Sequence, residues 1–145
     1  MNDMIRDEPT RSYWIISIVA LLWNLLGVMA YMMHVSMTAE DFAAMSDAER
    51  ALYTGAPAWV TGAYAIAVFG GVLGCIALLL RKSFAVPVFA ISLIAILAQM
   101  GYSLLLTDVI TVMGAGSVVM PLVVIAIGVY LLMYANSAKK RGVLD

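Results

Sequence analysis

Residues 57–82 read PAWVTGAYAIAVFGGVLGCIALLLRK, an apolar run opened by Pro57 and Trp59 and closed by Arg81 and Lys82. Within it Ala63, Ala67, Gly70, Gly71 and Gly74 recur three or four residues apart. On a helix this spacing gathers them on one face, where a second helix can come close. The stretch is therefore expected to be a membrane-embedded helix and the packing spine of the molecule. The pattern does not say whether the helix it receives belongs to this chain, to a second copy or to another protein.

The rest of the chain supports that reading. At 145 residues it is one domain in length. Its hydrophobic fraction is 64%, against about 45–50% for soluble domains, and its mean hydropathy is +1.00. Charged residues, 12% of the total, fall almost entirely between the apolar runs, which marks an integral membrane protein. The net charge of −1 says nothing about nucleic acid, but there is no basic stripe to track phosphates, so no nucleic-acid partner is expected and the lipid bilayer is the first one. The single cysteine, Cys75, lies inside an apolar run and has no intrachain disulfide partner.

The first apolar run, residues 13–33, covers about 31 Å as a helix, enough to cross a bilayer. Val28-Met29-Ala30 resembles a signal-peptidase site, but the run is too long for a signal peptide. Residues 34–56 form a polar connection with two capping boxes, one from Thr38 to Asp41 and one from Ser46 to Glu49. They predict short interfacial helices at Glu40–Met45 and Asp47–Tyr53, with Phe42, Met45, Leu52 and Tyr53 resting on the bundle or the headgroup layer. The second span covers 57–80. A tight turn at Arg81–Phe84 makes it the antiparallel neighbour of the third, 85–106, which carries Pro87 in its first turn. Residues 107–116 read as a loop, 117–134 as the fourth span, and ANSAKKRGVLD as a tail. The expected fold is an all-α integral membrane protein, a four-transmembrane-helix bundle with two short helices in its first external loop.

Of the eight Lys and Arg residues, only Arg50 falls on the far side from Arg6, Arg11, Arg81, Lys82, Lys139, Lys140 and Arg141. The positive-inside rule then places both termini in the cytoplasm. The acidic connection carrying Glu40, Asp41, Asp47 and Glu49 faces outside, as does Asp108.

No Asp, Glu, Lys, Arg or His falls near the middle of any span, which argues against a pump or an ion-coupled carrier. Asn24 lies mid-span and needs a hydrogen-bond partner across the helices. Gln99, Tyr102 and Ser103 share one face of the third span, with Thr61 and Tyr64 at similar depth in the second. These six residues read either as a self-satisfied polar network or as the lining of a cavity open to the outside, with Asn24 facing Gln99. Trp23, too deep for an interfacial belt, reads as a filler against the glycine face. Met29, Met33 and Met37 repeat every four residues around His34, a thioether and imidazole set suited to Cu(I), although methionine is also an ordinary gap-filler. Phosphate-loop, nucleophile-elbow, zinc-type His–Glu and haem-attachment motifs are absent, and a single histidine cannot ligate haem on both faces. Neither an enzyme nor a cofactor is expected.

The order Trp23-Asn24, Gly27 and Tyr31, then AIAVFGGVLGC and LLLRK, then Gln99, Tyr102 and Asp108 resembles a group of small bacterial four-helix inner-membrane proteins. The label sugar transporter is sometimes attached to that group. The resemblance implies a bacterial inner membrane and leans toward transport, and it gives no single residue a role. The leading expectation is a non-enzymatic accessory subunit or homo-oligomer acting through its small-residue face. The alternatives are transport of a small uncharged solute and Cu(I) binding at the Met/His cluster.

Overall fold

The computed structural model describes residues 8–145, so Arg6, one of the cations in the charge asymmetry, lies outside it. The helices are α1 (Arg11–Val35), α2 (Ala39–Ala43), α3 (Asp47–Thr54), α4 (Ala58–Leu79), α5 (Ala85–Leu105), α6 (Val109–Met113) and α7 (Val119–Lys140). A 3₁₀ turn at Ala115–Val118 leads into α7, and there is no strand among the described residues. Four helical segments are long and apolar enough to cross a membrane: α1, α4, α5 and Ala115–Lys140. The architecture is that of an all-α, multi-pass membrane protein.

Local chemistry explains where the helices begin. The Thr10 hydroxyl accepts a hydrogen bond from Tyr13 N at 3.2 Å and caps α1. Thr38 and Ser46 start α2 and α3, each through a complete capping box closed by Asp41 and Glu49. Pro57, which has no N–H to leave unpaired, sits at the cap of α4.

Three boundaries differ from the sequence expectation. The first short helix stops at Ala43, short of Met45. The expected loop at 107–116 contains α6, because Thr107 Oγ1 takes Val109 N at 3.3 Å while donating to the Ser103 carbonyl. The fourth helix, expected to end near Tyr134, continues to Lys140, since Ala135, Asn136, Ser137 and Ala138 extend the ladder and Ala135 and Ala138 are buried.

In space the long helices follow chain order: α1 packs on α4, α4 on α5, and α5 on α7. The α4 small-residue face sits at the centre and is filled from within the chain. A Cβ on Gly74 would lie 2.6 Å from the Phe89 ring of α5, and one on Gly71 would overlap Asn24 Oδ1 of α1. Ser92 of α5 crosses over Gly70 and donates to the Ala67 carbonyl at 2.6 Å. Ala67 is buried in the same seam and Ala63 is half-buried. In lipid, where apolar surface gains nothing by leaving the solvent, such close contacts and interhelical hydrogen bonds hold helices together, at about 0.6–2 kcal/mol per bond. Trp23 is not the filler of the glycine face; the smaller Asn24 takes that place.

The main core gathers at the end that holds the start of α1 and the C-terminal tail. Tyr13, Cys75, Leu78, Phe89, Leu131, Ala135 and Ala138 are buried there together. Tyr13 donates to the Leu78 carbonyl and stacks on Tyr134, with centroids 6.1 Å apart, which ties α1 to α4 and to α7. Ser17 is fully buried beside this cluster with its hydroxyl unpartnered. The chain's last residues complete the closure. Helix α4 ends in a Schellman turn, with Lys82 N on Ala77 O and Arg81 N on Leu78 O, and α7 ends the same way, with Val143 N on Ala138 O and Gly142 N on Lys139 O. The two turns then pair: Asp145 N donates to Arg81 O and Ser83 N to Asp145 O, both at 2.8 Å, while Arg81 Nε reaches Val143 O at 3.1 Å. Val143 and Leu144 are buried as a result.

Candidate functional site

The loop end is built differently. Helix α3 is folded back over the bundle, and Tyr102 of α5 donates to Gly55 O at 3.2 Å, just past its last turn. Below α3 lies a chamber of about 320 Å³. Its polar lining is Thr61 and Tyr64 from α4, Gln99, Tyr102 and Ser103 from α5, and Thr107 beyond α5. Its walls also include His34, Met45, Leu52, Tyr53, Val109 and Met113. The rings hold one another in place. His34 lies 5.0 Å from Tyr53 and 5.6 Å from Tyr64, Tyr31 lies 5.2 Å from Tyr64, and Trp59 meets Tyr102 edge-on at 5.5 Å.

A second cavity, a groove of about 400 Å³, opens between α1 and α7 and is backed by α4 and α5. Trp23, Asn24, Gly27, Val68, Ile96, Met100, Met120 and Val124 line it. Tyr64 and Gln99 belong to both walls, so the chamber and the groove meet at these two side chains. Toward the terminal end the groove narrows to a slot of about 30 Å³ floored by Phe89, Ser92 and Leu131, and the buried core follows. The open volume therefore lies toward the loop end and between α1 and α7, and it closes at the core.

Five of the six polar residues singled out in the sequence (Thr61, Tyr64, Gln99, Tyr102 and Ser103) line the chamber. The sixth, Asn24, lies in the groove with Gln99, its Nδ2 donating to Ala20 O at 2.8 Å and to Cys75 Sγ at 3.4 Å. The amide thus serves the packing of α1 on α4 and also forms part of the groove wall. The methionine set is arranged differently. Met29 and Met33 are 55% and 70% exposed on α1, and the methionines that share the chamber with His34 are Met45 and Met113, not Met29, Met33 or Met37. Among the described residues no three His, Cys, Asp or Glu side chains cluster as metal ligands.

Sequence reasoning missed Val109 and Met113, because α6 was read as loop, and the whole α1–α7 groove, because no local pattern announces a gap between helices distant in the chain. The amphipathic spacing of Met45, Leu52 and Tyr53 was the one available signal for the chamber roof.

The chemistry on offer is recognition. Hydroxyl and amide groups face a chamber walled by aromatic rings, and among the described residues its one charged lining residue is Glu49, which accepts a hydrogen bond from Ser46 N at 3.2 Å. Among the described residues no Lys or Arg lines the chamber or the groove. That lining disfavours anions and suits neutral hydrogen-bonding molecules, and the volume falls at the lower end of the range for small-ligand pockets, about 300–1,000 Å³. No protein-family model, curated protein or solved structure matches this chain.

Proposed function

We propose that this is a non-enzymatic membrane protein that takes a small uncharged solute from its loop side into the chamber, as the binding step of transport or sensing. The observation that carries the reading is the asymmetry of the two ends: a polar-lined chamber at one and a packed, tail-sealed core at the other. A molecule entering from the loop side meets Gln99, Tyr64 and Ser103, and the packed core beyond the α1–α7 groove blocks passage to the terminal end without a rearrangement of the helices. Charge asymmetry supports an external loop side and cytoplasmic termini in a bacterial inner membrane, with α2 and α3 at the headgroup layer. The small-residue face of α4 is occupied by α1 and α5, so association with another membrane protein or a second copy would use a different surface.

The test is calorimetry on the detergent-solubilised protein with a panel of neutral polyols, monosaccharides and amides, followed by flux into proteoliposomes. Saturable binding is expected for one class, weakened about tenfold by Gln99→Leu, as losing one well-placed hydrogen bond implies. No binding by the folded protein across the panel, or identical binding by the Gln99→Leu variant, rejects the reading.

A further inference from the structure

The groove between α1 and α7 adds a second requirement on the ligand. We propose that the ligand is an amphiphile: its uncharged, hydroxylated headgroup occupies the chamber and its alkyl chain lies in the groove. This rests on the chamber reading above and extends it to the class of molecule bound.

Three observations converge. First, the two cavities adjoin in the right order: Tyr64 and Gln99 form the wall they share, the polar space lies at the loop end and the apolar space lies deeper along the helices, so one molecule spans both where these two side chains part. An amphiphile leaving one leaflet of a bilayer enters in that orientation. Second, the groove is apolar apart from the shared pair and Asn24, whose Nδ2 is already spent on Ala20 O and Cys75 Sγ and whose Oδ1 packs against Gly71. Its walls offer a chain dispersion contacts with Trp23 and Ile96 and with the adaptable Met100 and Met120. Helices α1 and α7 are held together at the terminal end by Tyr13 and Tyr134, and a chain between them toward the loop end supplies the packing they do not give each other there. Third, the headgroup space has no cation to meet a phosphate and does have Glu49. A neutral hydroxylated head therefore fits where an anionic phospholipid does not.

The experiment uses Trp23, one of three tryptophans, as a reporter inside the groove. In a Trp14→Phe, Trp59→Phe variant reconstituted in nanodiscs, a 1-O-alkylglycerol brominated along its chain is titrated and Trp23 emission recorded. The expected result is saturable quenching, shifted about tenfold to higher concentration by Gln99→Leu. Nanodiscs of brominated phosphatidylcholine without the alkylglycerol provide the second arm. If they quench Trp23 as strongly, or if Gln99→Leu leaves the titration unchanged, ordinary bilayer lipid lies in the groove and the proposal fails. It also fails if neither probe quenches. Calorimetry with glycerol and the polyol panel separates these outcomes from failure of the chamber: headgroup binding that survives without a chain signal removes only the amphiphile, and loss of both removes the chamber reading too.

Discussion

At Gly74 a single hydrogen atom decides how closely two helices meet. The Phe89 ring occupies the place a Cβ would need, whereas a Cβ on Gly101, in the same membrane-spanning framework, would point into open space. Gly74→Ala should therefore destabilise the protein by about 1–3 kcal/mol, the usual cost of overpacking. Gly101→Ala should be neutral or slightly stabilising, because alanine favours the helix. Thermal unfolding in mild detergent checks the pair, and equal midpoints for the two variants would contradict the packing described for α4. The spacing of Ala63, Ala67, Gly70, Gly71 and Gly74 made this face legible in the sequence, because three-to-four periodicity is a property of one helix alone. The residues that fill it were not legible. Asn24 over Gly71 and Phe89 over Gly74 depend on the register between helices, which no local pattern records.

Among the elements, the terminal-end closure has the most unusual backbone. Arg81 occupies the left-handed region at φ 57°, a place usually given to glycine at the end of a Schellman turn. Holding a side chain there costs about 1–2 kcal/mol, and the Arg81 Nε bond to Val143 O offsets it by anchoring the C-terminal residues. Two substitutions separate these terms. Arg81→Ala keeps the strain and loses the bond, so it should lower stability by about 1–2 kcal/mol. Arg81→Gly loses the bond but relieves the strain, so it should stay within about 0.5 kcal/mol of the parent. Hydrogen exchange should show faster opening of residues 142–145 in both variants, and an unchanged exchange rate would mean that the arginine does not hold the tail. The four long helices, the two capping boxes and the tight α4–α5 turn could be read from sequence, since each is set by composition or by residues within one turn of one another. Helix α6 and the docked tail could not, because Thr107 acts through hydroxyl geometry and Val143 and Leu144 are buried only by contact with a turn sixty residues away in the chain.

For the molecule as a whole, the asymmetry between its two ends matters more than any one residue. A bundle held at one end by Tyr13, Leu78, Phe89 and the docked tail, and held apart at the other by a chamber under α3, has its polar-lined open volume at the loop end. Overall composition could not disclose this, because it does not separate the two ends of a span; the polar face of α5 at Gln99, Tyr102 and Ser103, with Thr61 and Tyr64 on α4, was the sequence trace of it. Single cysteines on a Cys75→Ala background map the access directly. Ser103→Cys and Thr61→Cys, in the chamber, should react with a membrane-impermeant maleimide presented to the loop side of oriented vesicles. Ser92→Cys, buried against the Ala67 carbonyl, should resist it from either side, and so should Leu131→Cys in the terminal-end core. Each cysteine is small enough for its site, and circular dichroism confirms that the variants fold. If Leu131→Cys reacts as readily as Ser103→Cys, the core is not a seal and the structure contains a through-path. If Ser103→Cys stays unreactive, α3 closes the chamber and a solute must enter through the α1–α7 groove from within the membrane. The expected profile is a steep fall in reactivity between Ser103 and Ser92, about three turns apart along α5, because that is where the open volume narrows to a slot of about 30 Å³.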